Sequence, residues 1–247
     1  MDISRFSRTS LLGRAFRAPL SLIPKTAVVR VLQGPLAGKR WIVGSATHGA
    51  WLGTYEHEKQ RLFARSIQPG MVVFDLGANV GFYTLLAAVK AGERGRVYAF
   101  EPLPRNLEFL RLHLDYNRVR NVEVIDAAVS DLSGLAAFEE QAHPSMGRLE
   151  PAGCVQIRTV TMDNMVFEKG LSLPDVIKID IEGGERRALE GARRMLEQRH
   201  PLIFLATHGW QVHNECCIFL NGLGYAISGI EGEPPARTDE LIARFAN

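Results

Sequence analysis

Short runs of apolar residues alternate with longer segments of helical periodicity through most of the chain. The helical segments include 56–67, 80–92 and 104–117, and in the last of these the leucines fall on one face. The apolar runs are rich in β-branched residues, as is typical of parallel strands covered on both faces, and lie at 71–77, 95–102, 121–130, 175–181 and 201–207. The alternation predicts βαβ units and therefore a doubly wound α/β fold around a parallel sheet.

The two ends of the chain do not follow this rhythm. Two short strand-like runs surround the turn GPLAG within 26–55, so residues 1–55 are expected to form a basic leader and a β-hairpin extension. The regular domain is expected over 56–232, ending in a helix and a last strand at 225–230. The Pro- and Arg-containing segment 233–247 is expected to be a loose tail.

The segment 175–192, DVIKIDIEGGERRALEGA, begins as a buried strand and ends in acidic residues. In an extended chain, residues two apart share a side, so Lys178, Asp180 and Glu182 should point the same way. An unpaired buried lysine is costly, and Asp180 is its natural partner. Two glycines then allow a sharp turn, and Glu185 opens a helix, where a negative charge suits the helix dipole.

A glycine-containing turn joins the first predicted strand to its helix, in VVFDLGANVGFYT. Gly77 permits a tight bend, and Gly81 lets the helix start close to the sheet. The spacing departs from the G-x-G-x-x-G of nicotinamide-binding proteins. Asp75 would repel a pyrophosphate and attract a cation, so this turn predicts a ligand with a cationic group.

Two further acids end the following strands. Glu101 lies about where a doubly wound fold places the acid that binds ribose hydroxyls. Asp126 ends the third predicted strand beside it. The carboxyl edge of the sheet thus offers sites for a cation, a ribose and a base, and S-adenosylmethionine has all three.

Composition limits the classes of partner and compartment. The net charge of +2 and the pI of about 8.5 are too mild to indicate a nucleic-acid-binding protein. No apolar run reaches the length of a membrane span. The odd number of cysteines, three, favours a reducing compartment, so a cytoplasmic location is expected.

The first forty residues are strongly basic. Asp2 is their one acidic residue, against eight lysines and arginines: Arg5, Arg8, Arg14, Arg17, Lys25, Arg30, Lys39 and Arg40. Such an arm can make weak contact with a membrane surface, or it can be a solvated leader. The sequence leaves the oligomeric state open.

Several motifs together resemble the FkbM family of class I S-adenosylmethionine-dependent methyltransferases. They are GTYEHE, DLGANVGFYT, FEPLPRN, AAVSD, PLIFLATHG, LGYAI and, most specific of all, IKIDIEGGERRALEGA. The likeness covers roughly residues 50–230. It implies a Rossmann-like fold with a mostly parallel seven-stranded sheet, S-adenosylmethionine as cofactor, and methyl transfer to oxygen on a sugar, a glycolipid or a secondary metabolite.

The resemblance also implies roles for individual residues. The glycine turn would surround the methionine end of the cofactor, Glu101 would hold the ribose hydroxyls, and Asp126 with Ala127 would border the adenine. From their position before the glycine turn, Tyr55 and Glu56 could close over the methionine carboxylate or the acceptor. The predicted cofactor-binding set is Glu56, Asp75, Gly77, Asn79, Gly81, Glu101, Asp126 and Ala127.

One position departs from the family pattern. After the fifth strand the family often carries a glutamate in a V-E-V-H pattern, where this chain has Ala206 but keeps His208. A base helps methyl transfer to a sugar hydroxyl, because the pKa of that hydroxyl is far above 7. The predicted catalytic residues are therefore Asp180, Glu182 and His208, with no resident metal.

Two alternatives remain for the acidic cluster: Asp180 and Glu182 can hold a divalent metal, or the cluster can be structural. For the whole protein, the alternatives are N-methylation of an amino sugar or amine, and cofactor binding without transfer. Trp41, Trp51 and Trp210 can stack on a sugar or pack in the core.

Overall fold

The computed structural model describes residue 20 and residues 22–140, 147–149 and 155–246. Most of the basic leader lies outside these residues, so its membrane-surface contact stays a prediction. In the described part of the chain, no helix is long and apolar enough to cross a membrane.

The segment before the central sheet forms a small hairpin and two helices, and the second helix lies in the region predicted as the regular domain. Its elements are β1 (Val28–Arg30), β2 (Arg40–Ile42), α1 (His48–Leu52) and α2 (His57–Ser66). The two strands pair antiparallel, with Val29 opposite Trp41. Trp41 and Trp51 are almost fully buried, so both tryptophans belong to the core.

The first half of the domain alternates strands and helices as predicted. It contains β3 (Val72–Leu76), α3 (Phe82–Ala91), β4 (Arg96–Phe100), α4 (Pro104–Tyr116) and β5 (Val122–Ile125). In β3, Phe74 and Leu76 face one buried cluster while Val73 faces the other. Because successive residues point to opposite faces, both faces of the sheet are covered.

A second, smaller sheet follows. It contains β6 (Ala128–Val129), β7 (Gly134–Glu140), β8 (Gly147–Leu149) and β9 (Val155–Val160), in the order β6-β9-β7-β8, and is followed by α5 (Met162–Phe167). The single strand predicted at 121–130 is therefore divided between two sheets. Its apolar residues continue on both sides of exposed Asp126, so the sequence pattern does not reveal the division.

The second half of the domain completes the central sheet. It contains β10 (Val176–Ile179), α6 (Glu185–Glu190), α7 (Arg193–Arg199), β11 (Leu202–Ala206), α8 (Trp210–Gly222), β12 (Tyr225–Gly229), a 3-10 helix (Pro235–Arg237) and β13 (Glu240–Phe245). The helix predicted to begin at Glu185 is followed, after a break, by a second one. The break falls at Gly191, where a Cβ atom would overlap the carbonyl oxygen of Ser130.

The central sheet has seven strands in the order β12-β13-β11-β10-β3-β4-β5. The strands from β11 to β5 are parallel, and β13 is antiparallel to both of its neighbours. This confirms the mostly parallel, doubly wound α/β fold. Chain order reverses between β3 and β10, and ligands bind at such a switch point, beyond the carboxyl ends of the strands.

The expectation of a loose tail at 233–247 is wrong for Glu240–Phe245, which form β13. This strand lies between β11 and β12, and Leu241, Ile242 and Ala243 in it are buried. The strand is short and has charged residues near both ends, so its sequence resembles a polar tail. Its apolar centre is what the sheet requires.

His113 on α4 fastens the hairpin to the domain. Its Nε2 accepts a hydrogen bond from the backbone N–H of Ile42 at 3.1 Å, and its Nδ1 lies 2.7 Å from the carbonyl oxygen of Val80. Because Nε2 is the acceptor, the proton is on Nδ1, and the ring is neutral. Trp41 stacks on the ring with 3.8 Å between centroids. Burial lowers the pKa of His113 to about 4.

We expect this buried neutral imidazole to make the protein sensitive to acid. The folded-state pKa is below the ordinary value of about 6.5, so its contribution is complete above pH 6.5 and lost as pH falls towards 4. The loss should reach up to about 3 kcal/mol. Urea unfolding at several pH values should show a smaller pH slope for His113→Gln. The same change at half-exposed His57 is the control; equal slopes in all three proteins would contradict the assignment.

Candidate functional site

A cavity of about 540 Å³ opens at the carboxyl ends of β3, β4 and β10. Its volume is within the range of small-molecule and cofactor sites. Most of the lining comes from the turns after these strands, from the starts of α3 and α4 and from β6, while the extension contributes the segment 44–47, Ala50 and Tyr55. The cavity therefore lies at the switch point of the sheet, partly covered by the extension.

Gly77 brings the turns after β3 and β10 together. Its φ of 79° is in the left-handed region, and a Cβ atom would overlap the carbonyl oxygen of Asp180. Lys178 donates a hydrogen bond from Nζ to the carbonyl oxygen of Gly77 at 2.8 Å. The two turns thus pack closely enough to share one wall of the cavity.

Glu101 ends β4 and lines the cavity, although it is only 4% exposed. Its carboxylate accepts hydrogen bonds from the backbone N–H groups of Asn79 at 2.8 Å and Leu103 at 2.9 Å, and from the side chain of Asn106 at 3.1 Å. Burial raises its pKa despite these donors. The turn after β3 and the start of α4 therefore hold this carboxylate in one orientation.

Asp75 is in a different place from the one predicted. The residue is fully buried and, among the described residues, is not part of the cavity lining. Its Oδ2 accepts a hydrogen bond from the hydroxyl of Thr84 at 2.6 Å, and its Oδ1 lies 3.4 Å from Nζ of Lys178. Asp75 neutralises a buried lysine beneath the cavity and does not face a ligand directly.

Five other predicted residues also lie outside the cavity lining of the described chain: Glu56, Gly81, Asp126, Ala127 and His208. Gly81 begins α3 against Leu110, where a Cβ atom would overlap a methyl group. Asp126 is exposed and Ala127 is buried. Ala128 and Val129, from the start of the second sheet, line the cavity at this end. The predicted contact of Asp126 and Ala127 with the adenine stays a prediction.

Glu56 precedes α2 with a φ of 42°, in the left-handed region. Its Oε2 accepts a hydrogen bond from the hydroxyl of Tyr83 at 2.7 Å and lies 3.2 Å from Nζ of Lys59. Tyr55 next to it lines the cavity, whereas Glu56 does not. Glu56 therefore supports the wall that Tyr55 forms.

Asp180 follows β10 and meets three cationic groups. Its Oδ2 lies 3.8 Å from Lys178 Nζ and 4.0 Å from Lys59 Nζ, and its Oδ1 lies 3.7 Å from His208 Nε2. Burial raises the pKa of Asp180, but these groups outweigh burial and leave the pKa below its ordinary value. Asp180 is therefore an ionised carboxylate on the cavity wall.

His208 follows β11 and joins the same cluster. Its Nδ1 lies 2.8 Å from Oε1 of the fully buried Glu185, and its Nε2 lies 3.5 Å from Oε2 of Glu182. The hydrogen bond to Glu185 and the nearby carboxylates raise the pKa of His208 to about 9. Burial raises the pKa of Glu182 as well, and Asp180 and Glu185 add to the effect. The structure thus brings together the three predicted catalytic residues.

The pairing of His208 with a buried carboxylate is a known arrangement for orienting an imidazole. A carboxylate on Nδ1 fixes the tautomer and directs Nε2 towards the reacting groups. Asp180, Glu182 and His208 each offer one potential ligand atom, a carboxylate oxygen or an imidazole nitrogen, and these atoms lie within 4.8 Å of one another. The three atoms can share a proton, an acceptor hydroxyl or a divalent cation.

Sequence reasoning missed three residues of this site. Glu185 was interpreted as an acid at a helix start, but it orients His208. Lys59 is only 4% exposed and lies 2.7 Å from Glu240 of β13. Lys59 follows Glu56 by three positions, one helical turn, which was a usable local signal. No local signal could connect Lys59 with Glu240, because the contact joins opposite ends of the chain.

Comparison with known proteins points to one family. Residues 75–227 match the family model described as the methyltransferase FkbM domain. The chain is 28% identical over 144 residues to hexuronic acid methyltransferase AglP of Haloferax volcanii, with 58% of each chain covered. It is also 28% identical to 31-O-demethyl-FK506 methyltransferase FkbM of Streptomyces tacrolimicus, covering 51% of this chain and 60% of that protein. The match thus spans less than two thirds of either relative.

Among solved structures, the methyltransferase FkbM from Methylobacillus flagellatus KT superimposes with a TM-score of 0.52. The identity is 18%, and the match covers 81% of this chain and 56% of that one. At this level of identity the likeness concerns the fold.

Gly77→Ala should damage both the fold and the cavity, because the added methyl group has to displace the turn after β10. Gly70→Ala is the matched control: Gly70 has a φ of 93° and no atom within 4 Å of the position that a Cβ would take, so it tests backbone conformation alone. We expect the control to lose about 1 kcal/mol of unfolding free energy and Gly77→Ala to lose clearly more. Chemical unfolding measures both; equal losses would contradict the close packing of the two turns.

Proposed function

The chain belongs to the FkbM methyltransferase domain family, and we propose that it transfers a methyl group from S-adenosylmethionine to a hydroxyl of a saccharide or a related secondary metabolite. The matched residues 75–227 include Glu101, Asp180 and His208. The observation that carries the proposal is one cavity with a fixed buried carboxylate, Glu101, on one wall and the carboxylates of Asp180 and Glu182 on another.

The residues present fit the cofactor. Glu101 can accept a hydrogen bond from a ribose hydroxyl, since a carboxylate has about four acceptor positions and protein donors use three. Gly77 leaves the space that a side chain would fill beside Asp180. Ala128, Val129 and Leu103 provide an apolar surface near Glu101, suited to the flat base.

The electrostatics of the opposite wall also suit this cofactor. When bound, S-adenosylmethionine supplies an electrophilic methyl group on a positively charged sulfur. Asp180 lines the wall beside Gly77 as an ionised carboxylate. A cationic group is therefore favoured there, whereas the pyrophosphate of a nicotinamide cofactor is not.

The acceptor is expected above β10 and β11, where Asp180, Glu182 and His208 converge. An acceptor hydroxyl there can donate its hydrogen bond to Asp180 or to neutral His208. Glu185 directs His208 Nε2 towards the same point. We assign the proton-accepting role to His208 and the positioning of the acceptor to Asp180 and Glu182, because holding the nucleophile in line supplies much of the rate in such displacements.

The relatives support oxygen as the methyl acceptor. The name of one relative specifies a hexuronic acid and that of the other a 31-O-demethyl compound. A small-molecule or saccharide acceptor also fits a cavity of this size. We place the reaction in the cytoplasm, since Cys216 and Cys217 are free and the cysteine count is odd.

Calorimetric titration with S-adenosylmethionine tests the cofactor assignment. Glu101→Gln keeps the shape of the side chain but removes its charge and one acceptor oxygen, so we expect at least about tenfold weaker binding. Glu108→Gln, an exposed position on α4, is the matched control and should bind normally. No binding by the unmodified protein, or equal binding by both variants, would contradict the assignment.

The pH dependence of turnover tests the proton-accepting role of His208. With a pKa near 9, His208 is protonated at pH 7, so the rate should rise with pH and level off near pH 9. Glu185→Gln removes the main cause of the raised pKa and should move the rising limb down by about one pH unit or more.

The control for this experiment is Glu190→Gln, on the same helix, where Glu190 pairs with Arg186 at the surface. The rising limb should stay in place in that variant. A flat profile between pH 6 and 9 in the unmodified enzyme would transfer the role from His208 to Asp180.

A further inference from the structure

We infer that the acceptor is an uncharged sugar ring, held by its hydroxyls at Asp180, Glu182 and His208 and packed by its apolar face on Trp210. The inference rests on the proposed function and narrows its acceptor to one chemical class. It uses two separate observations, the exposed indole at the start of α8 and the charge balance of the cluster.

Trp210 is 81% exposed, whereas Trp41 and Trp51 are buried. An indole in water loses the stabilisation that burial gives to a large apolar group. An apolar partner that covers the ring would recover it. Of the three tryptophans considered for sugar stacking, Trp210 is the one with a free face.

Trp210 begins α8 close to His208, and in the described chain both residues lie outside the cavity lining. The residue is two positions after His208, so their Cα atoms are at most about 7 Å apart. It is also the first residue of α8, and side chains on a helix tilt towards its N-terminus. The N-terminus of α8 is at the carboxyl edge of the sheet, so the Cα–Cβ bond of Trp210 is tilted towards the edge where His208 lies.

The cluster beside it carries an excess of negative charge. Among the described residues, three cationic groups are linked by ion pairs to six carboxylates. The cations are Lys59, Lys178 and His208, and the carboxylates are Glu56, Asp75, Asp180, Glu182, Glu185 and Glu240. The bound cofactor adds one net positive charge, which leaves the group negative.

This balance selects against an acidic acceptor. A uronate carboxylate at this point would face Asp180 and Glu182 in a partly buried site, where like charges repel strongly. Neutral hydroxyls instead donate hydrogen bonds to the same carboxylates. The chain therefore differs in expected acceptor from its relative whose name specifies a hexuronic acid.

Binding of two simple glycosides tests the inference. The probes are methyl β-D-glucopyranoside and methyl β-D-glucuronide, which share a ring and differ in charge. Saturation-transfer NMR with the full chain and S-adenosylhomocysteine, which prevents turnover, should show at least about tenfold tighter binding of the glucoside. Glu182→Gln should narrow this difference, because it removes one repelling charge.

The indole is tested with matched variants on α8. Trp210→Ala should weaken binding of the glucoside about fivefold, and Trp210→Phe should retain most of it, because a smaller ring still offers an apolar face. Ile218→Ala is the control, since Ile218 is 72% exposed two turns further along the same helix. That variant should bind normally.

Three results would each overturn the inference: undetectable glucoside binding, glucuronide binding at least as tight, or unchanged binding in Trp210→Ala. Calorimetry with S-adenosylmethionine on the same samples separates this inference from the proposed function. Loss of cofactor binding in the unmodified chain contradicts the proposed function itself. Normal cofactor binding with any of the three results contradicts only the neutral, Trp210-stacked acceptor.

Discussion

The arrangement of side chains around the cavity depends on two buried ammonium groups, those of Lys59 and Lys178. Each is almost inaccessible to water and is tolerated only because carboxylates surround it. Asp180 lies within 4.0 Å of both, while Glu240 and Asp75 complete the neutralisation on either side. The network joins α2, β3, β10 and β13. Removing one member would leave an uncompensated charge in the interior, so the ends of the chain and the cavity are stabilised together.

The same network determines what the site can do. Because cations keep Asp180 ionised, a carboxylate without its proton is available on the cavity wall, next to the turn at Gly77. Nδ1 of His208 is in hydrogen-bond contact with Glu185, a fully buried acid at the start of α6. Glu101, two strands away, is fixed by three donors and has an acceptor position left for a hydroxyl group. The strand order thus separates the side of the cavity assigned to the nucleoside, at β4, from the side assigned to the methyl acceptor, at β10 and β11.

Local patterns in the sequence were sufficient for the parallel strands, the glycine turn and the acidic strand end. They were sufficient because each depends on neighbours in sequence: alternation gives strands, and Gly77 is required by one left-handed turn. They failed where the position of a side chain depends on a partner that is distant in the sequence. Asp75 was expected to face a ligand, but it is fully buried and forms an ion pair with Lys178. Glu240 was assigned to a loose tail, although it is the closest partner of Lys59. Such pairings follow from sheet order, which periodicity does not encode.

The most direct test of the account is the fate of a labelled methyl group. The protein is incubated with an extract of small metabolites and S-adenosylmethionine carrying carbon-13 in its methyl group, and the products are examined by NMR. The account predicts a new resonance of a methyl ether on a sugar or polyol, absent when Asp180→Asn replaces the unmodified protein. A resonance of an N-methyl group, or no transfer in an extract shown to contain the acceptor class, would contradict it.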